Sequence, residues 1–135
     1  MSSDLPWAHF DALEFDDQLG LLNELPFTGI VYADHPNGAR ETELNHVAGL
    51  PSGIQKQWYP NGQLESEWDA VRGRGSNWSR KWHPNGVMSY ERINTDQRPV
   101  RIREWAEDGT LLTDVDEDHP DLAGWRDYKP KDAGA

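Results

Sequence analysis

The sequence predicts an all-β protein: a single meandering antiparallel sheet of about four to five repeated β-hairpins, with short irregular or helical flanks. Three observations predict it. First, a turn phrase recurs as His35-Pro36-Asn37-Gly38, Tyr59-Pro60-Asn61-Gly62, His83-Pro84-Asn85-Gly86 and Ala106-Glu107-Asp108-Gly109, with glycines 24, 24 and 23 residues apart. A fixed period of that length marks units that stack on their neighbours. Second, the residues flanking each turn alternate with a period of two. Ile54, Lys56 and Trp58 alternate with Gln55, Gln57 and Tyr59, and Leu64, Ser66 and Trp68 with Gln63, Glu65 and Glu67, as half-buried strands require. Third, the turn chemistry fits a tight hairpin loop. Proline fixes φ at the second turn position, asparagine follows, and glycine takes the left-handed conformation that closes the loop with a bulge.

Taken in order, residues 1–27 form an acidic N-terminal segment with Asp4, Asp11, Glu14, Asp16, Asp17 and Glu24 and no Lys or Arg, a net −6. Leu5, Pro6, Trp7 and Phe10 suit a short helical or irregular turn. Leu13, Phe15, Leu19, Leu21 and Leu22 around Asp16-Asp17-Gln18 predict an opening hairpin that caps the sheet edge. Residues 28–115 hold the four hairpins. Four positions before each glycine stand Asp34, Trp58, Trp82 and Trp105; two after it stand Arg40, Leu64, Met88 and Leu111. Side chains two apart share a face, so Ile30 and Tyr32, Ile54 and Trp58, and Trp78 and Trp82 are expected on one, buried, side. The opposite side is expected to gather Glu41 and Glu43, Glu65 and Glu67, Glu91 and Asp114, with Gln55, Gln57, Ser79 and Lys81. Five positions after each glycine the residue is acidic: Glu43, Glu67, Glu91, Asp114. With hairpins paired in sequence, these carboxylates recur about 9–10 Å apart as a negative ladder. Lys56, Arg80 and Arg103, six positions before their glycines, are expected beside the aromatic column with their stems over indole rings. Residues 116–135 form an acidic tail in which Leu122, Trp125 and Tyr128, between Pro120 and Pro130, predict one helical turn before a frayed end from Lys129.

Composition bounds the function. The 135 residues make one domain whose apolar share is 36% and whose mean hydropathy is −0.88, so Trp and Tyr must supply much of the buried area. There is no Cys, hence no disulfide framework or thiolate metal site. The opening Met-Ser-Ser-Asp-Leu-Pro lacks the basic and apolar stretches of a secretory signal, and no run of eighteen apolar residues occurs, so a cytoplasmic protein without a membrane span is expected. The net charge is −11, and it is uneven: the array carries 12 acids against 10 bases, while both flanks are acidic. Such a field disfavours nucleic acid and anionic lipid; it suits a protein partner with a basic surface, while composition alone favours the plainer reading that acidity keeps a flat protein soluble.

Catalytic signatures are missing from the sequence. Histidines at 9, 35, 46, 83 and 119 show no His-Glu-x-x-His spacing, and no nucleophile elbow, phosphate loop or dinucleotide fingerprint occurs. His35 and His83 sit at equivalent turn positions, which suits a turn-flanking role. Glu65 and Glu67 on a solvated strand lack the apolar enclosure that separates carboxylate pKa values for acid–base work. No enzymatic activity, catalytic residue, cofactor or metal is expected.

The run Pro26-Phe27-Thr28-Gly29-Ile30-Val31-Tyr32, followed by the Pro-Asn-Gly turns and by Trp58-Tyr59-Pro60-Asn61-Gly62-Gln63-Leu64 and Trp82-His83-Pro84-Asn85-Gly86, resembles the MORN-repeat-variant family, especially the YwqK-like bacterial antitoxins, over roughly Leu13 to Val115. Departures are Asp34 at an aromatic position, Asn77 where Gly29 and Gly53 stand in other units, and the Arg/Gly-rich stretch Val71 to Ser76. The resemblance implies an all-β meander and, for antitoxin or immunity members, neutralisation of a cognate toxin by direct binding. On that reading Glu41, Glu43, Glu65, Glu67 and Glu91 steer a cationic toxin and Tyr59, Trp68 and Trp78 anchor it. The other reading is a structural or scaffold module, membrane-associated by analogy with the repeat's full name, membrane occupation and recognition nexus. An open sheet leaves edges that allow a monomer or a weak edge-paired dimer.

Overall fold

The computed structural model describes residues 5–74, 77–96 and 98–123. Its large sheet has nine strands: β1 (Trp7–His9), β5 (Gly29–Asp34), β6 (Arg40–Val47), β7 (Leu50–Trp58), β8 (Leu64–Ala70), β9 (Trp78–Trp82), β10 (Met88–Thr95), β11 (Arg98–Trp105) and β12 (Leu111–Asp116). They lie in that spatial order, antiparallel throughout except that β1 runs parallel to β5. The four hairpins pair in sequence, as the period predicts. A second sheet, which the sequence reading did not separate, contains β2 (Glu14–Asp16), β3 (Leu19–Leu22) and β4 (Leu25–Pro26).

Each Pro-Asn-Gly loop is a hydrogen-bonded turn. In the first, Gly38 N donates to His35 O (2.9 Å) and His35 N to Ala39 O (2.7 Å), with Gly38 at φ +88°. At the other end of the sheet the hairpins are joined by two-residue turns at Ala48-Gly49 and Arg72-Gly73. Both residues of each have positive φ (50° and 85°, 52° and 77°), the geometry of type I′ connections. Asp96, 24 residues after Arg72, has φ 51° as well.

The hairpin predicted around Asp16-Asp17-Gln18 forms as β2 and β3, but it does not cap the edge of the large sheet. That edge is filled by β1, and β2–β4 instead lies over one face. Gly20 N donates to Gly49 O (2.7 Å) and Gly49 N to Phe27 O (2.8 Å), which docks the small sheet on the β6–β7 turn. A Cβ at Gly49 would sit 2.5 Å from Leu19 Cδ1 and 3.0 Å from Gly20 O, so the approach requires glycine. The short helical or irregular turn expected over Leu5, Pro6, Trp7 and Phe10 is not what forms: Trp7–His9 pairs with Gly29–Asp34 as an edge strand, and a 3-10 turn follows at Phe10–Ala12.

The core lies between the two sheets: Ala8, Leu13, Phe27 and Val31, with Leu22 and Leu44 packed against them. This corrects the predicted division of faces. Residues paired across an antiparallel ladder share a face, and Val31, Leu44, Gln55, Trp68 and Ser79 are paired in succession. Gln55, expected outside, is therefore on the core side and only 1% exposed, whereas Ile54, expected inside, is 45% exposed. Alternation identifies which residues share a face; the covering sheet decides which face is buried, and it comes from distant sequence. Near the C-terminal end, α1 (Pro120–Ala123) buries Leu122; Trp125 and Tyr128 lie outside the described residues.

Candidate functional site

The strand register brings the acidic column into one row with the basic column. Glu43 pairs with Lys56, Lys56 with Glu67, Glu67 with Arg80, Arg80 with Glu91, Glu91 with Arg103 and Arg103 with Asp114. The predicted negative ladder is thus an alternating row, and Lys56, Arg80 and Arg103 stand among the acids. The reason is the loop geometry. With one bulge in each loop, the residue six before the glycine faces the residue five after it. Lys56 Nζ lies 3.9 Å from Glu67, and Arg80 Nε lies 3.1 Å from Glu91 Oε2. Arg103 Nη2 donates to Glu91 Oε1, and the Arg101 guanidinium donates to both Asp114 oxygens at 3.0 and 2.9 Å. In the first unit Tyr32 takes the basic position. Arg40 compensates there, donating to Glu43 Oε2 at 2.7 Å while lying over the Tyr32 and Trp7 rings. The expected stacking on indoles occurs at Arg80 over Trp78 (4.7 Å) and Arg103 over Trp105 (5.7 Å). Glu91 is the buried member. Burial acts to raise its pKa, but the hydrogen bonds and charges of Arg80 and Arg103 together hold it below the usual carboxylate value.

The remaining sequence-selected residues do not form one patch. Glu41 is exposed, 3.7 Å from His35 Nδ1. The Tyr59 hydroxyl donates to Trp82 O at 2.7 Å, and its pKa is raised by burial and then by the Glu65 carboxylate. Trp68 belongs to the core-side face and Trp78 to the face of the charged row, so a single partner surface cannot meet both.

Sequence reasoning missed the bonds that join one repeat to the next. His35 Nε2 donates to Trp58 O (2.7 Å), Tyr59 Oη to Trp82 O (2.7 Å), and His83 Nε2 to Trp105 O (2.8 Å). In parallel, Asn37, Asn61 and Asn85 donate through Nδ2 to Pro60 O, Pro84 O and Glu107 O at 2.9, 3.1 and 3.0 Å. Each turn is thus stapled to the following one by two side-chain donors. A carbonyl only accepts, so the proton is on Nε2 of both histidines. The fourth turn ends the series: Ala106 has no side-chain donor, and Asp108 keeps only the acceptor, taking Thr110 N at 2.9 Å. The recurring His/Tyr and Asn columns were the available signal.

A cleft of about 260 Å³ opens between the small sheet and the core-side face, lined by Phe10, Phe15, Gln18, Leu44, His46, Pro51, Gln55 and Trp68. His46 Nδ1 donates to Leu44 O at 3.1 Å, and burial lowers its pKa from the ordinary 6.5, which keeps it neutral at pH 7 with a lone pair at Nε2. Gln55 Nε2 donates to Asn45 O (2.9 Å) and Gly53 O (3.3 Å), and its buried Oε1 has no hydrogen-bond partner. Among the described residues no group of three or more His, Cys, Asp or Glu is placed to hold a metal ion, and no helix is long and apolar enough to cross a membrane.

The arrangement is a repeat sheet of paired hairpins, with a row of alternating acids and bases, overlaid by a small acidic sheet. Comparison with protein-family models, with curated proteins and with solved structures returned no match.

Proposed function

We propose that the protein is a binding module of the antitoxin or immunity kind, which engages a protein partner with a basic surface through its acidic N-terminal sheet. One observation carries this reading. Glu14, Asp16, Asp17 and Glu24 make no ion pair among the described residues, and residues 5–27 contain no Lys or Arg, whereas the carboxylates of the large sheet's row face bases across the strands. Steering by charge depends on the unneutralised field. It therefore shifts from the row centred on Glu67 to the small sheet, where Phe15 and Leu25, with Phe10 of the preceding 3-10 turn, are also exposed and serve as apolar anchors. Glu41 and Glu65 remain peripheral contributors.

The test is co-purification with the product of the adjacent reading frame, followed by stopped-flow association at low salt. Replacing Glu14, Asp16, Asp17 and Glu24 by their amides slows association about tenfold, while Glu65→Gln leaves the rate nearly unchanged. Association that is insensitive to the four amide replacements removes the N-terminal sheet from the mechanism.

A further inference from the structure

The last strand of the large sheet, β12, is paired on one side only among the described residues. It runs antiparallel to β11, from Asp116 opposite Arg101 to Leu111 opposite Trp105. Its other side presents the alternating N–H and C=O groups of a sheet edge, the template on which an extended chain adds as a further strand. Neither Pro nor Lys, the common blocks to such addition, stands in Leu111–Asp116, and the bulge lies at the turn end of the strand, beside Trp105. Leu111 and Leu112 are 49% and 64% exposed there.

The repeat specifies what belongs across from this edge. Glu43, Glu67 and Glu91, each five positions after a turn glycine, face Lys56, Arg80 and Arg103 on the strand that follows. Asp114 is the fourth acid of that column, and no strand follows it among the described residues. The Arg101 guanidinium holds its carboxylate at 3.0 and 2.9 Å, and Arg103 faces it across β11. Glu91 shows that an acid of this column takes a base from each side, Arg80 from one and Arg103 from the other. Around Asp114, residues 107–118 hold six acids and no Lys or Arg.

A second copy of this chain does not meet that specification. Antiparallel pairing of β12 with itself sets Asp114 and Asp116 of one copy against those of the other, and like charges placed opposite destabilise a ladder. The far edge, β1, is three residues long and lies in a segment, residues 5–27, that also lacks Lys and Arg. A further unit of the repeat would not be stapled either, because Ala106 and Asp108 of the fourth turn supply no side-chain donor.

We propose that the β12 edge binds an extended basic segment of a protein partner as an added antiparallel strand, with a Lys or Arg opposite Asp114 and apolar residues against Leu111 and Leu112. This edge is separate from the acidic small sheet and does not depend on that sheet engaging a partner.

Titration of the full chain at low salt with the end-capped peptide Lys-Thr-Arg-Thr-Leu-Val tests it, read by 1H-15N correlation spectra and amide exchange. The peptide produces saturable shifts and slowed exchange within Leu111–Val115 and leaves β1 and β2–β4 unchanged. Replacing both Thr of the peptide by Pro keeps its charge but removes the ladder donors and weakens binding at least about tenfold. Asp114→Asn weakens binding of the original peptide about two- to fivefold; the comparison of the two peptides on the wild type stands even where that variant fails to fold. Equal affinity for the Thr and Pro peptides reduces the effect to charge attraction and overturns the proposal. So do shifts confined to β2–β4, or an outer edge of β12 that is already fully protected from exchange before peptide is added.

Discussion

At the scale of single residues, two side chains carry distinct and testable duties. Asn61 accepts Gln63 N at 2.9 Å within its own turn and donates to Pro84 O at 3.1 Å in the next. Asn61→Asp retains the acceptor and deletes the donor, so it isolates the staple; urea denaturation is expected to show a loss of about 1 kcal/mol. Asp108→Asn restores a donor where no following turn exists, and stability should stay within about 0.5 kcal/mol. His46 sets a pH dependence. Its folded pKa lies below 6.5, so the unfolded chain takes up the proton first and stability falls as pH drops below 6.5 toward the lower folded value. Above 6.5 the group is neutral in both states and contributes no slope. Denaturation curves of the wild type between pH 7.5 and about 5 should show this decline, and His46→Gln should lose it. Glu91, held low by its two arginines, contributes stability that is present above 4.5 and lost as pH falls below it.

At the scale of elements, glycines that look alike in sequence have different duties. A Cβ on Gly62 meets nothing within 4 Å, and only its φ of +89° opposes a side chain; Gly62→Ala is expected to cost about 1–2 kcal/mol. Gly49 shares the positive φ but lies against Leu19 and the Gly20 carbonyl. Gly49→Ala should cost more than Gly62→Ala and should release the β2–β4 sheet, seen as lost amide protection there while β8–β11 stay protected. Within the charged row, burial decides the magnitudes. Glu91→Gln leaves Arg80 and Arg103 facing a neutral amide in a site only 8% exposed, at a cost of about 2–4 kcal/mol. Glu67→Gln disturbs a more exposed, longer contact with Lys56 and should cost about 0–1 kcal/mol.

At the scale of the whole molecule, the period of the turns and the alternation around them were enough to read a meander of four hairpins, and the Pro-Asn-Gly chemistry was enough to read their loops. The alternating row was also legible, because counting outward from each loop glycine with one bulge sets Lys56 against Glu67 and Arg80 against Glu91. Treating the two arms as separate columns concealed it. The buried face was not legible: Gln55 and Ile54 are neighbours whose burial is decided by a covering sheet more than twenty residues upstream. Nor was the cleft, whose walls come from Phe10 in the 3-10 turn and from Phe15, His46, Gln55 and Trp68 on the two sheets. The account rests on a register that interleaves acids and bases across successive repeats, and a slip of one residue would send every side chain of a strand to the opposite face. Backbone NOE spectroscopy on labelled protein tests that register directly. The expected result is a continuous series of cross-strand contacts from Lys56 to Glu67, Arg80, Glu91 and Arg103; contacts that place Arg80 opposite Ser66 or Trp68 would contradict it.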